Sequence, residues 1–306
     1  MDKRVKTLGI VVLHFGNKKD TFECLNSLSN AIPQDIDSII YLIDNDPENR
    51  ILLKELSFTL KIHLITSKKN LGFAGGMNMG IREALKAKCK YILLLNNDIV
   101  VKPKLIEKLL LYLTQGVDIA SPIITYYDKP DVIWCMDGYL NKLFLFTKHP
   151  NMNKKLADIS FGKPIVSDFA AACLMVKNEV FRKVGFLDER YFLNVEDVEW
   201  CFRAKKAGFK IVYIPFPLAI HKVSVNTGIR GTSILTPTNA YYYGRNFFIL
   251  LKDHRDSFNI FTALIGQTFI RLPFYIIFRT NSFSAVFSYF KGYFFGLYYL
   301  LTGKLL

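Results

Sequence analysis

Short apolar runs alternate with amphipathic stretches along the N-terminal part of the chain, and this alternation restricts the fold more than any other feature. Residues 8–15, 38–43, 61–66 and 91–95 are apolar runs of strand length. Residues 20–28, 74–87 and 103–113 carry apolar side chains at helical spacing. Phe22, Leu25 and Leu28 share one face of the first of these, and Pro103 opens the last. A β-α-β-α order predicts an α/β domain with a mostly parallel, doubly wound central sheet flanked by helices. Ligands of such sheets bind beyond the carboxyl ends of the strands.

Three polar clusters fall where that rule places a ligand. Asp44-Asn45-Asp46 follows the second run, Asn70-Leu71-Gly72-Phe73-Ala74-Gly75-Gly76 the third, and Asn96-Asn97-Asp98 the fourth. Each alone reads equally as a turn, because Asn, Asp and Gly are turn residues. Three on one edge of one sheet point to a shared site.

The chain of 306 residues is 51% hydrophobic, enough for one large domain and an appendage. Beyond the first helices the pattern is less regular. Residues 166–176 predict one or two strands, 195–207 a helix, 211–214 and 218–220 short strands, and 237–252 a helix. The stretch 223–236, with Gly228 and Gly231, reads equally as a mobile lid or a surface loop. After Asp256 no acid appears again, whereas Arg271, Arg279, Lys291 and Lys304 do, among dense Phe and Tyr. Arg271 and Pro273 interrupt the apolar segment 258–278, and Lys291 interrupts 283–301, so neither reads as a clean spanning helix. Residues 1–256 are therefore expected to form the main domain. Residues 257–306 are expected to form an aromatic helical appendage lying on an anionic membrane surface. The competing reading packs these helices on the core or on a second copy, as in a homodimer.

Lys and Arg number 40 against 26 Asp and Glu, a net charge of +14 that suits an anionic partner. No nucleic-acid-binding module is recognisable, so nucleic acid is not the expected one. The five cysteines are widely spaced, odd in number and form no C-x-x-C, which argues against a disulfide framework or zinc site and fits a reducing cytosol. The first apolar run is too short for a secretory signal. The expected location is cytoplasmic, peripheral to the inner face of the plasma membrane.

Sugar transfer from a nucleotide diphosphate would use these clusters coherently. Asp44 and Asn45 offer a carboxylate and an amide to base or ribose edges. The glycine-rich loop admits close backbone approach, and Gly75-Gly76 opens a helix whose amides can face phosphate. The loop is neither a Walker A motif nor G-x-G-x-x-G. Asp98, leaving a buried strand, suits a divalent cation that bridges two phosphates, with Mg²⁺ or Mn²⁺ as candidates. His221, after a short strand, suits a second ligand and would favour Mn²⁺. Asp197, near a helix start, suits a general base for an acceptor hydroxyl, though a helix-capping role competes.

Taken in order, several stretches carry a resemblance. They are 11–28 with Asp20-Thr21-Phe22-Glu23-Cys24-Leu25, then Ile43-Asp44-Asn45, 70–78, 94–100 and 171–176. Next come 185–208 with Phe186-Leu187-Asp188-Glu189 and Glu196-Asp197, and 215–221. The chain resembles the rhamnosyltransferase-like branch of family 2 inverting glycosyltransferases, which have a GT-A (Rossmann-like) fold. The resemblance implies a hexosyltransferase acting on a nucleotide-diphosphate sugar, dTDP-rhamnose or a UDP-hexose, and on a glycan or lipid-linked glycan in cell-surface polysaccharide biosynthesis. It implies that Asp44 binds the base, with Asn45, Asn70, Gly72, Phe73, Gly76, Asn78, Asn96 and Asn97 around the donor. Asp98 and His221 would be metal ligands, Asp197 the catalytic base, and Glu196 and Trp200 would lie near the acceptor. Asn96 departs from the family by replacing the first acid of the D-x-D motif, and His14 replaces a more usual Asn or Thr. Gln267 and Arg271 have the wrong spacing for Gln-x-x-Arg-Trp and lack the Trp, which argues for non-processive transfer. The other function classes are a nucleotidyltransferase, which would need a basic glycine-rich signature near the first strand, and an inactive nucleotide-sugar-binding protein.

Overall fold

The computed structural model describes residues 8–55, 60–223 and 234–305. Its centre is a mixed sheet. Four parallel strands form one half in the order β4 (Tyr91–Asn96), β1 (Leu8–His14), β2 (Ser38–Asp44) and β3 (Ile62–Thr66). Every residue of β1 is buried, so its apolar run is continuous instead of alternating, as in sheets covered on both faces. Helices α1 (Lys18–Ser29) and α2 (Gly72–Lys86) follow β1 and β3, and α2 packs on β1, β2 and β4.

The other half departs from a purely parallel sheet. β11 (Cys173–Lys177) joins β4 antiparallel and also pairs antiparallel with β6 (Ile119–Tyr126). β6 runs parallel to β12 (Ile211–His221), and β10 (Ile165–Val166) closes that edge. β5 (Ile99–Val101) pairs antiparallel with the end of β12, and β7 (Ile133–Cys135) with β6. A separate hairpin joins β8 (Tyr139–Asn141) to β9 (Phe146–Lys148). Helix α3 (Leu105–Thr114) packs on β6 and β12, and α4 (Asn178–Val184) on β11 and on α5 (Glu196–Lys206).

Several expectations are corrected. The apolar run 211–220 is one strand, not two. Pro215 and Pro217 break its pattern, and two register shifts against β6 absorb them. β6 had no counterpart in the sequence reading, because Pro122 stands inside a run buried on both faces. The run 166–176 resolves into β10 and β11, which lie apart in the sheet. Pro103 precedes α3 instead of opening it.

The C-terminal helices pack on the rest of the chain. α9 (Phe283–Thr302) lies along α6 (Pro237–Asp253). The crossing is close enough that a Cβ at Gly292 would strike the Tyr241 carbonyl and one at Gly244 that of Tyr289. Arg190 Nη1 donates to Tyr299 Oη at 2.8 Å, and Tyr299 donates to Asp253 at 2.9 Å. The expected interruption at Arg271 and Pro273 is not a break. α7 (Ile260–Ile265) passes through a π-helical turn (Gly266–Arg271) into α8 (Leu272–Phe278), with Pro273 in the first turn of α8. The helix Ile260–Phe278, with mean hydropathy 1.5, is long and apolar enough to cross a membrane by length and composition. Its Gln267 and Arg271 are nevertheless buried, and Gln267 bonds the Leu145 carbonyl.

Candidate active site

The chain leaves β4 at Asn96, turns at Asn97-Asp98 and returns as β5. The β5–β12 ladder places His221 opposite Ile99, and Lys222 N donates to Asp98 O at 3.0 Å. This register brings His221 Nε2 to 3.1 Å from Asp98 Oδ1, with both residues buried. Neither ring nitrogen of His221 makes a hydrogen bond to the described residues, and its ring meets Trp134 edge-on at 4.2 Å. A buried imidazole without a hydrogen bond needs a partner. Two donors about 3 Å apart match neighbouring ligand positions around a cation with bonds near 2.1 Å. No group of three His, Cys, Asp or Glu side chains could hold a metal among the described residues. The pair therefore fits a divalent cation only if substrate oxygens complete its shell, as is usual for Mg²⁺ on phosphates.

The second feature is Glu196-Asp197, at the start of α5. A loop in left-handed conformation delivers it, with φ of 60° at Phe192, 66° at Asn194 and 74° at Val195. Val195 occupies the helix cap, so the capping alternative for Asp197 is corrected. Asp197 lies in the first turn, half-buried, and its Oδ1 accepts from Val198 N at 2.7 Å. Burial pushes its carboxyl up to about 6. Burial, then the Asp197 charge, pushes Glu196 well above the usual carboxylate range, and Glu196 Oε2 has no partner among the described residues.

The role of Tyr243-Gly244-Arg245-Asn246 was not legible in the sequence. Arg245 Nη2 donates to the carbonyls of Arg190 and Tyr191, at 2.6 and 3.2 Å. The Asn246 amide reaches the carbonyls of Tyr191, Leu193 and Asn194, between 2.7 and 2.9 Å. Together they clamp the strained loop that presents Asp197.

The other expected donor residues mostly hold the loops to one another. Asp44 is fully buried. Its oxygens accept from Asp46 N and Ile51 N, both at 3.2 Å, and Arg50 lies 3.6 Å away. These contacts shape the loop after β2. Asn45 donates to Asn70 Oδ1 at 3.1 Å and to Gly72 O at 3.0 Å, and accepts from Leu71 N at 2.9 Å. α2 starts at Gly72, three residues before the expected glycine pair. Its first amides are already taken, Gly72 N by Asn70 Oδ1 and Phe73 N by Phe192 O. The expected helix start at Gly75-Gly76 is thus corrected to Gly72. Gly72 has φ +72°, and a Cβ there would collide with Phe192; Gly76 sits against Leu13 and Asn45. Asn78 is a buried latch, bonding Leu187 through both its backbone groups and Glu189 Oε1 at 3.0 Å. Asn97 donates to Thr21 Oγ1 at 2.9 Å, which fixes the turn before Asp98. Trp200 is buried, stacks on Phe181 and donates to Gly185 O at 2.9 Å, and it lines the same cavity that Glu196 and Asp197 border.

His221, Asn96, Glu196 and Asp197 border one cavity of about 560 Å³. Asn96 Oδ1 is buried there without a partner among the described residues. The C-terminal helices also line it through Arg271, Phe274, Tyr275 and Arg279, and α6 through Tyr243. The segment expected on a membrane surface, or packed on the core or a second copy, thus also lines the cavity. The segment proposed as a lid falls largely on residues 224–233, outside the described residues.

The family description "Glycosyl transferase family 2" matches residues 10–185, more than half of the chain, and the chain belongs to that family. It is a glycosyltransferase. It is 29% identical over 237 residues to the dTDP-rhamnosyl transferase RfbF of Shigella flexneri, covering 74% of this chain and 76% of RfbF. Over 88 residues it is 41% identical to the N-acetylglucosaminyl-diphospho-decaprenol L-rhamnosyltransferase of Mycobacterium tuberculosis, 29% of this chain and 27% of that protein. Among solved structures, GalNAc-T7 with UDP, GalNAc and Mn²⁺ is similar with a TM-score of 0.57 and 16% identity, over 72% of this chain and 44% of the GalNAc-T7 chain. That likeness is one of fold.

Proposed function

We propose that this glycosyltransferase moves a hexose, with inversion and one sugar at a time, from dTDP-rhamnose or a UDP-hexose to a hydroxyl of a lipid-linked glycan in polysaccharide biosynthesis. The observation that carries this reading is that His221, 3.1 Å from Asp98, and the Asp197 carboxylate border the same cavity. The names of the Shigella and mycobacterial relatives support the donor and the acceptor respectively.

Asp98 and His221 would hold Mg²⁺ or Mn²⁺, which when bound would supply positive charge to neutralise the leaving diphosphate. Asn96, facing the cavity with an open oxygen, lies at the sugar. The loop network of Asp44, Asn45, Asn70 and Gly72 shapes the nucleotide end. Asp197 takes the acceptor hydroxyl proton as that oxygen bonds to the anomeric carbon and the bond from that carbon to the diphosphate oxygen breaks. Burial and the Asp197 charge push the neighbouring Glu196 carboxyl well above the usual carboxylate range, which disfavours a second negative charge beside Asp197. In a thermal-shift panel, dTDP-rhamnose or UDP-hexoses should raise Tm only when Mn²⁺ or Mg²⁺ is present. No shift with any nucleotide sugar plus metal would refute the donor reading.

We also infer that residues 257–306 rest on anionic lipid at the cytoplasmic face of the plasma membrane. Phe283 is 86%, Phe287 61% and Phe294 60% exposed, at helical spacing along α9, and no acid follows Asp256. The triple change of these residues to Ser should abolish co-flotation with phosphatidylglycerol vesicles. Retained flotation would sink the lipid reading. A change in sedimentation instead would assign the face to a second copy.

A further inference from the structure

The cavity contains a charge that the reaction as derived does not use. Arg271 is 4% exposed and borders the cavity from the C-terminal helices. Its Nη1 donates to two neutral groups, Tyr243 O at 2.8 Å and Gln267 Oε1 at 3.0 Å. Its guanidinium lies over the Phe247 ring, 3.8 Å from the centroid, and 4.8 Å from that of Tyr275. Its Nη2 is buried with no hydrogen-bond partner among the described residues. A guanidinium cannot neutralise itself by losing a proton, and burying it without an anion is costly. The remaining nitrogen therefore calls for an anionic oxygen supplied from the cavity.

The surroundings indicate what that oxygen belongs to. Ile270 and Phe274 border the same cavity and are also 44% and 45% exposed, so they join its interior to the outer face of the helix. That outer face is apolar, with Phe269 74%, Ile277 66% and Phe278 63% exposed. A ligand with its anion at Arg271 and its next part along Ile270 and Phe274 is an amphiphile. The donor diphosphate has its own place beside Asp98 and His221.

We infer that Arg271 binds the phosphate through which the acceptor saccharide is attached to its lipid, with Ile270 and Phe274 carrying the first part of the hydrocarbon chain. This rests on the lipid-linked acceptor proposed above and gives the C-terminal helices a share in choosing the acceptor. Arg271 is thus a positioning and specificity residue: it holds the acceptor phosphate so that the sugar hydroxyl meets Asp197.

Binding to the full chain tests it without needing turnover. Farnesyl diphosphate, farnesol and inorganic diphosphate are the lipid-site probes, and UDP or dTDP with Mn²⁺, whichever the unmodified chain binds, is the donor-site probe. The unmodified chain should bind farnesyl diphosphate at least 10-fold more tightly than farnesol or inorganic diphosphate. Arg271→Met should remove that preference and leave binding of the donor-site probe unchanged, which also reports that the domain is folded. Should Arg271→Met unfold, Arg271→Lys carries the test. One ammonium cannot keep Tyr243 and Gln267 and also grip a phosphate, so its preference should be intermediate. Equal binding of farnesyl diphosphate and farnesol would overturn the inference, as would tight binding of inorganic diphosphate alone. An equal loss of donor-site probe binding in a folded Arg271 variant would assign the guanidinium to the donor and also overturn it. Failure of the unmodified chain to bind either UDP or dTDP with Mn²⁺ would instead count against the donor reading and leave the farnesyl comparison standing.

Discussion

Asp197→Asn is expected to lower kcat by about 10²–10⁴-fold, the usual worth of a general base, while the affinity for the nucleotide sugar stays the same. The substitution keeps the size of the side chain and the oxygen that accepts from Val198 N at 2.7 Å. It removes only the capacity to take a proton. The pH profile is a second, independent readout. Burial pushes Asp197 up to about 6, and the base works only when ionised. Activity should therefore fall as pH drops through about 6, well above the range where an ordinary aspartate would protonate. Burial and the Asp197 charge push Glu196 well above the usual carboxylate range, and burial is what raises Asp197, so Glu196→Gln should leave that acid limb close to its place. A profile flat down to pH 4.5, or full turnover by Asp197→Asn, would remove Asp197 from the role of base.

How far the sequence carried this site depends on which kind of contact each residue makes. Strands β1, β2 and β4 were legible because they are largely buried on both faces, which leaves unbroken apolar runs between turn residues, whereas β3, at the sheet edge and partly exposed, was legible only from its short run with Ile62, Leu64 and Ile65. The three polar loops were legible as positions. What Asn45, Asn70 and Asn78 do was not, because an amide suited to a ligand is equally suited to a neighbouring loop. In the structure they bond to Gly72, to each other and to Leu187. β6 escaped because Pro122 sits within it, and β12 read as two strands because of Pro215 and Pro217. Arg271 escaped for a different reason. Its neighbours in sequence are apolar, and only the docking of the C-terminal helices on Tyr243 and Leu145 brings it to the cavity that Asp197 borders. Such long-range placement has no local pattern.

The pairing of Asp98 with His221 was anticipated as chemistry but not as geometry, and its removal should have the other large effect. Asp98→Ala should lower kcat/KM by about 10³-fold or more, since charge stabilisation by a bound cation is worth several kcal/mol and each ~1.4 kcal/mol is tenfold. His221→Ala should be milder and of a different kind. His221 is held beside Asp98 by the β5–β12 register, not by a hydrogen bond of its own ring, so its loss leaves the loop in place and removes one metal donor. Its activity should then fall at low Mn²⁺ and recover substantially as Mn²⁺ is raised, because affinity and not charge has been lost. Asp98→Ala should not recover, since the anion that neutralises the cation is gone. A metal titration of the three proteins with donor at saturation separates these outcomes. If both variants respond to Mn²⁺ as the unmodified chain does, or if chelation with EDTA leaves all three equally active, the two side chains are not metal ligands. Their 3.1 Å approach would then be a structural contact that ties β12 to the loop after β4.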